Sequence, residues 1–179
     1  MKWIARLILS LFALVAVACA GGEEATQPTD EETAEIYAAV IRQIYTEDDT
    51  FGGTLQPSTL YILGTTDDRA GDPQIGEANP AEIPGPVRES VTALLADLPA
   101  EIVWVETQDE VPLEADTGTV AEGGAQVTLG NVTPQDDGAV HVPASIYVAN
   151  LAAGGQTYVL EEVDGAWTIT GNTGTEWIS

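Results

Sequence analysis

Between residues 125 and 171 the chain is a succession of short apolar, β-branched runs separated by glycine-bearing breaks, and this rhythm constrains the fold more than any other feature. The spacing predicts strands over 125–132, 139–150, 156–163 and 166–171. The breaks between them are Asp136-Asp137-Gly138, Ala153-Gly154-Gly155 and Asp164-Gly165. Asp164-Gly165, set between Val163 and Ala166, is the sharpest of the three, because a two-residue type I′ turn needs φ > 0 at both central positions. In the last run Trp167 and Ile169 fall on one face and Thr168 and Thr170 on the other, the pattern of a half-buried strand.

Upstream the period changes. Ile36, Val40 and Ile44 recur at helical spacing with Tyr37, Ile41 and Tyr45 alongside, which predicts a helix over 32–48 with Asp30, Glu31 and Glu32 at its electropositive start. TLYILGT at 59–65 reads as a strand, and 66–83, dense in Asp, Gly and Pro, as a loop. Pro84-Gly85-Pro86 opens a second helix carrying Val87, Val91, Leu94, Leu95 and Leu98, which Pro99 stops, and IVWVE at 102–106 follows as a strand. Helix, strand, helix, strand and a four-strand meander make an α+β domain: two helices packed on a mostly antiparallel, curved sheet.

The segment Thr157-Tyr158-Val159-Leu160-Glu161-Glu162-Val163-Asp164-Gly165-Ala166-Trp167-Thr168-Ile169 resembles the closing hairpin of NTF2-like, cystatin-like α+β domains. The resemblance covers under a fifth of the chain and implies a curved sheet wrapped around a long helix. It also implies a pocket, in that family often furnished with an Asp–His pair; no such pair can be placed on the residues of this sequence.

The first residues are an address rather than part of the domain. Lys2 and Arg6 precede an apolar run from Leu7 to Val17, broken only by Ser10, with the length of a signal-peptide core and too short for a comfortable membrane span. Val15-Ala16-Val17-Ala18-Cys19-Ala20 resembles the lipobox of bacterial lipoproteins, with Ala16 where leucine is commonest. The resemblance implies cleavage of 1–18, acylation of Cys19 and partnership with a lipid bilayer, several acyl chains being enough for stable anchoring. Cleavage after Ala18 or Ala20 as an ordinary secreted protein is the alternative. Residues 19–33 would then be the attachment site and an acidic tether, and 34–179 one extracytoplasmic domain at the cell envelope.

The whole chain carries 29 acids against 5 Lys and Arg, a formal charge of −24. Such a polyanion is repelled by nucleic-acid phosphates and anionic headgroups, which excludes a nucleic-acid binder. Past residue 18 the cations are Arg42, Arg69 and Arg88, with no lysine and no thiol besides Cys19, so Schiff-base and cysteine chemistry are excluded as well.

Few residues remain to carry chemistry. His141 is the single imidazole; it alternates with Val140 and Val142 and so faces away from whatever they pack on. Ser58, Ser90, Ser145 and Ser179 could complete a triad with it, but none lies in a G-x-S-x-G elbow. Asp67, Asp68 and Asp72 place three carboxylates on a glycine-containing loop, the best candidate for calcium, which takes carboxylate and carbonyl oxygens; a solvated, turn-forming loop is the alternative. Paired carboxylates beside Trp104, Trp167 or Trp177 could serve a glycosidase, although Trp104 and Trp167 sit in strand patterns that predict core packing and Trp177 is placed to staple the C-terminus. The composition therefore predicts a non-catalytic binding or envelope-structural role. The alternative is an NTF2-like small-molecule or enzymatic pocket using a carboxylate.

Overall fold

A computed structural model describes residues 26–47, 56–74 and 77–179; the expected leader, Cys19 and most of the expected tether lie outside the described residues. The first helix, α1, spans Asp30–Thr46. Thr29 is extended and caps it: its hydroxyl accepts from the Glu32 amide at 3.3 Å, and the Glu32 carboxylate accepts from the Thr29 amide at 2.8 Å. This reciprocal capping box satisfies two amides that a helix start would leave unpaired. It also starts the helix inside the segment expected to be tether, so residues 30–33 are its first turn. Ile36, Tyr37, Val40, Ile41 and Ile44 are buried, as the periodicity predicts.

The chain continues through β1 (Thr59–Leu63), α2 (Gly85–Leu94) and β2 (Glu101–Val105). Pro86 sits in the first turn of α2, where its missing amide costs nothing. The helix ends at Leu94, short of Pro99, and Leu95 turns inward to full burial. β1 and β2 are parallel, Leu60 opposite Ile102 and Ile62 opposite Trp104, so α2 is the crossover such a pair requires.

β3 (Ala125–Leu129) lies parallel to β1 on its other side. The expected strand 125–132 stops at Leu129, and a two-residue strand, β4 (Thr133–Pro134), resumes pairing on the same neighbour. That neighbour is β5 (Val140–Ala149), followed by β6 (Ala152–Val163) and β7 (Ala166–Ile178). The sheet order is β2-β1-β3-β5-β6-β7, with β4 beside β5. The pairings among β3 to β7 are all antiparallel, which makes the C-terminal half the expected meander and the whole sheet mixed but mostly antiparallel.

Two details of the meander depart from expectation. Ala153-Gly154-Gly155 is no turn: all three are buried inside β6, and the chain reverses at Asn150 and Leu151 instead. Gly155 is there for space, because a Cβ would run into the Ala70 carbonyl and come within 2.7 Å of the Trp177 indole nitrogen and 2.8 Å of the Ala144 carbonyl. β7 also runs past Gly171 to Ile178, so that Trp177 lies within the strand; its indole donates to the Ala70 carbonyl at 2.9 Å, stapling the C-terminus as expected. The β6–β7 turn is as predicted, with φ of 54° at Asp164 and 80° at Gly165.

Both helices cover one face of the sheet. There Leu60, Ile62, Ala125, Val127, Leu129, Val142, Ala144 and Leu160 meet Ile36, Val40, Ile41, Val87, Val91 and Leu95, nearly all without solvent exposure. The opposite face carries a smaller cluster, Val105, Val111 and Val120 with Tyr61, Leu63, Val103 and Tyr147. Register shifts between Gln156 and Tyr158, and between Val159 and Leu160, bend the outer hairpin.

Candidate functional site

The three aspartates proposed for calcium form a clasp of separate partnerships. Asp67 caps a short 3-10 turn, Asp68–Ala70, and holds Arg69 through both oxygens at 3.0 and 2.7 Å. The Arg69 hydrogen bond keeps the Asp67 carboxyl below its ordinary pKa despite partial burial. Asp68 reaches across the fold: one oxygen accepts from the Asn131 amide at 2.7 Å and the Asn131 side chain at 3.0 Å, the other from Asn79 at 3.1 Å. Asp72 accepts from the Gln74 amide at 2.9 Å. The buried Thr66 donates to Asn131 and accepts from the Ala81 amide, completing a network that pins the loop to the break between β3 and β4. Tyr37 closes the break from the helix side, donating to the Gly130 carbonyl at 3.0 Å. Among the described residues, no group of three or more His, Cys, Asp or Glu side chains is arranged to hold a metal ion.

His141 occupies the sheet face opposite Val140 and Val142, paired with Thr133 on β4 and Val159 on β6. The serines do not gather around it. Ser58 donates to the Glu122 carbonyl beyond β1, Ser90 lies on α2, Ser179 ends the chain, and Ser145 is four residues along the same strand, about 13 Å away at strand rise. Two of the tryptophans are also committed. Trp104 donates to Thr92 at 3.0 Å under the Arg88 guanidinium, which stands 5.7 Å from its ring, and Trp177 is the C-terminal staple.

Trp167 differs. Half-buried on β7, it borders three adjoining surface concavities of about 400, 360 and 340 Å³. The first runs from Gln27 to the β4–β5 connection, the second lies among Glu31, Glu32, Glu35 and Glu162, and the third sits between α1 and the start of β7 over Ala38, Ala39 and Leu94. Arg42 borders the third, but its guanidinium is engaged by both oxygens of Asp97 and by the Leu94 carbonyl, at 2.7–2.9 Å. Sequence reasoning placed Trp167 on a half-buried strand; that α1 runs beside it had no local signal.

Among the described residues, the carboxylates with shifted acidity all move in one direction. Glu32 is lowered by the Thr29 cap, Asp67 by Arg69, Asp97 by Arg42 and Glu106 by Arg88. A general acid needs the opposite shift. Comparison of the chain with protein-family models, curated proteins and solved structures finds no match, so the functional reading rests on this geometry.

Proposed function

We propose that this chain is a lipid-anchored, extracytoplasmic binding domain that works without catalysis, held at the cell envelope by acylated Cys19. The observation that carries the binding role is the filled helix–sheet interface. Ile36, Val40, Ile41, Leu60, Ile62, Val91, Val127, Leu129 and Leu160 are all at 0% exposure, where an NTF2-like pocket would need an opening lined by polar side chains. The concavities instead lie outside the core, on the surface around Trp167. The downward shift of Glu32, Asp67, Asp97 and Glu106 supports the same reading, because these groups stay ionised rather than delivering protons.

The anchor is supported by the leader and by Ala18-Cys19, and among the described residues no helix is long and apolar enough to cross a membrane. In a host that processes lipoproteins, Cys19→Ala should move the protein from the membrane fraction to the soluble fraction. Retention of the variant in membranes would refute the anchor.

A further inference from the structure

We infer that the groove between α1 and the edge of β7 is a docking site for an extended, basic segment of a partner protein, which adds as a strand beside β7. This deepens the binding role proposed above and rests on it.

The sheet ends at β7, so along this strand alternate backbone amides and carbonyls have no strand partner among the described residues. Natural edges are usually blunted by lysine, proline or a bulge. β7 has no lysine, arginine or proline, and its first four residues, Ala166 to Ile169, pair in unbroken register with Leu160 to Val163. The irregularities begin only beyond Ile169. A short, uncharged stretch in unbroken register is therefore presented where a strand could add.

The helix beside it supplies side-chain selectivity. Trp167 and Ile169 point to the α1 side of the sheet, so residues of an added strand sharing that face would enter the concavity of about 340 Å³ floored by Ala39, Leu94, Ala166 and Trp167. Leu94, 45% exposed, is one of the few large apolar side chains left open to solvent. The surroundings are anionic: Glu35 on the helix lines this concavity, Glu35 and Glu162 on the hairpin both line the adjoining one across Trp167, and Arg42, the cation nearby, is neutralised by Asp97. An apolar floor with a carboxylate rim fits an arginine or lysine whose methylene stem lies over the indole while its charge reaches Glu35. Charge also argues against a second copy as occupant, since two chains of −24 repel each other.

The test is titration of the isotopically labelled chain with a synthetic peptide of alternating arginine and valine. A counterpart of equal charge with proline in place of each valine removes half the backbone donors. The alternating peptide should bind saturably and shift the amide resonances of Ala166 to Thr170. The variant Glu35→Lys/Glu162→Lys, altered at a half-buried and an exposed position, should weaken binding by about tenfold. Equal binding of the proline peptide would overturn strand addition in favour of diffuse charge attraction. Absence of binding would overturn the inference, as would association of the chain with itself through β7 in sedimentation. Saturable binding with shifts elsewhere would remove this groove while leaving the binding role standing, and anchoring is read separately from the fractionation of Cys19→Ala.

Discussion

The three arginines beyond residue 18 should differ sharply in what they contribute to stability, and Arg88 is the one to test. Its side chain is 13% exposed, against 39% for Arg42 and 51% for Arg69. From the first turn of α2 its Nε donates to the Ile83 carbonyl at 2.7 Å and its Nη2 to the Gly64 carbonyl at 2.9 Å. Replacing Arg88 with Met keeps an unbranched apolar side chain and removes the donors together with the guanidinium that stands over Trp104. The Gly64 carbonyl still accepts from the Ile83 amide at 2.9 Å, so its loss is one ordinary hydrogen bond, about 1 kcal/mol. The Ile83 carbonyl loses the donor it has in this loop, beside a side chain only 2% exposed, which adds about 2 kcal/mol of unsatisfied polar group. The bond to Glu106 is exposed and contributes little. A loss of about 3 kcal/mol, at a urea slope of about 2 kcal/mol/M, should lower the midpoint of equilibrium unfolding by about 1.5 M with the slope unchanged. Arg42→Met should cost less, and Arg69→Met should fall within the scatter of the measurement. An Arg88→Met midpoint within about 0.3 M of wild type, or one above that of Arg42→Met, would mean that the carbonyls find water instead and that Arg88 is not what satisfies them.

Three further outcomes are expected. Burial first, and the charge of Asp68 second, push the Tyr37 phenol well above its ordinary value, so the protonated form is favoured in the folded chain. Its contribution is therefore complete below about pH 10 and is lost as pH rises from there toward the folded value. Tyr37→Phe should cost about 1–2 kcal/mol at neutral pH, by orphaning the Gly130 carbonyl, yet show a shallower loss of stability above pH 10; parallel alkaline profiles for the two proteins would contradict this. Gly155→Ala should destabilise by about 3 kcal/mol or more, because the obstructing Ala70 and Ala144 carbonyls are backbone and cannot turn aside; a melting temperature equal to wild type would show that the 3-10 turn lifts away freely. Calcium should not stabilise the chain beyond magnesium at equal ionic strength, since Asp67, Asp68 and Asp72 each serve a different donor. A saturable, calcium-specific rise, about 2.7 kcal/mol at 100 times Kd, would mean the clasp opens to bind.

Local features of the fold could be read from the sequence wherever the controlling interaction is itself local. The Asp164-Gly165 turn, the burial of Ile36, Val40 and Ile44, and the alternation of Trp167 and Ile169 all depend on residues a few positions apart. The Thr29-x-x-Glu32 capping box is equally local and begins α1 at Asp30. Ala153-Gly154-Gly155 departs from the expected turn for a physical reason: glycine suits both a positive φ and the close approach of another segment, and only the three-dimensional position of Ala70 against Gly155 distinguishes the two. The aspartate loop depends in the same way on distant partners. Closeness in sequence suggested convergence on a cation, but the partners of Asp68 lie 11 and 63 residues away, on segments that nothing in the loop specifies.

The groove at β7 belongs to this second kind of feature and has no motif of its own. β1, β2 and β3 run parallel at one end of the sheet, which leaves the meander to grow outward from β3 and puts β7, the last strand, at the other end. α1 precedes the whole sheet in the chain yet lies along that last strand. Glu35 and Glu162 are therefore brought to one concavity beside Trp167 by the order of the strands. Their 127-residue separation in the chain explains why the composition could announce an acidic surface without showing where along it a basic partner would be held.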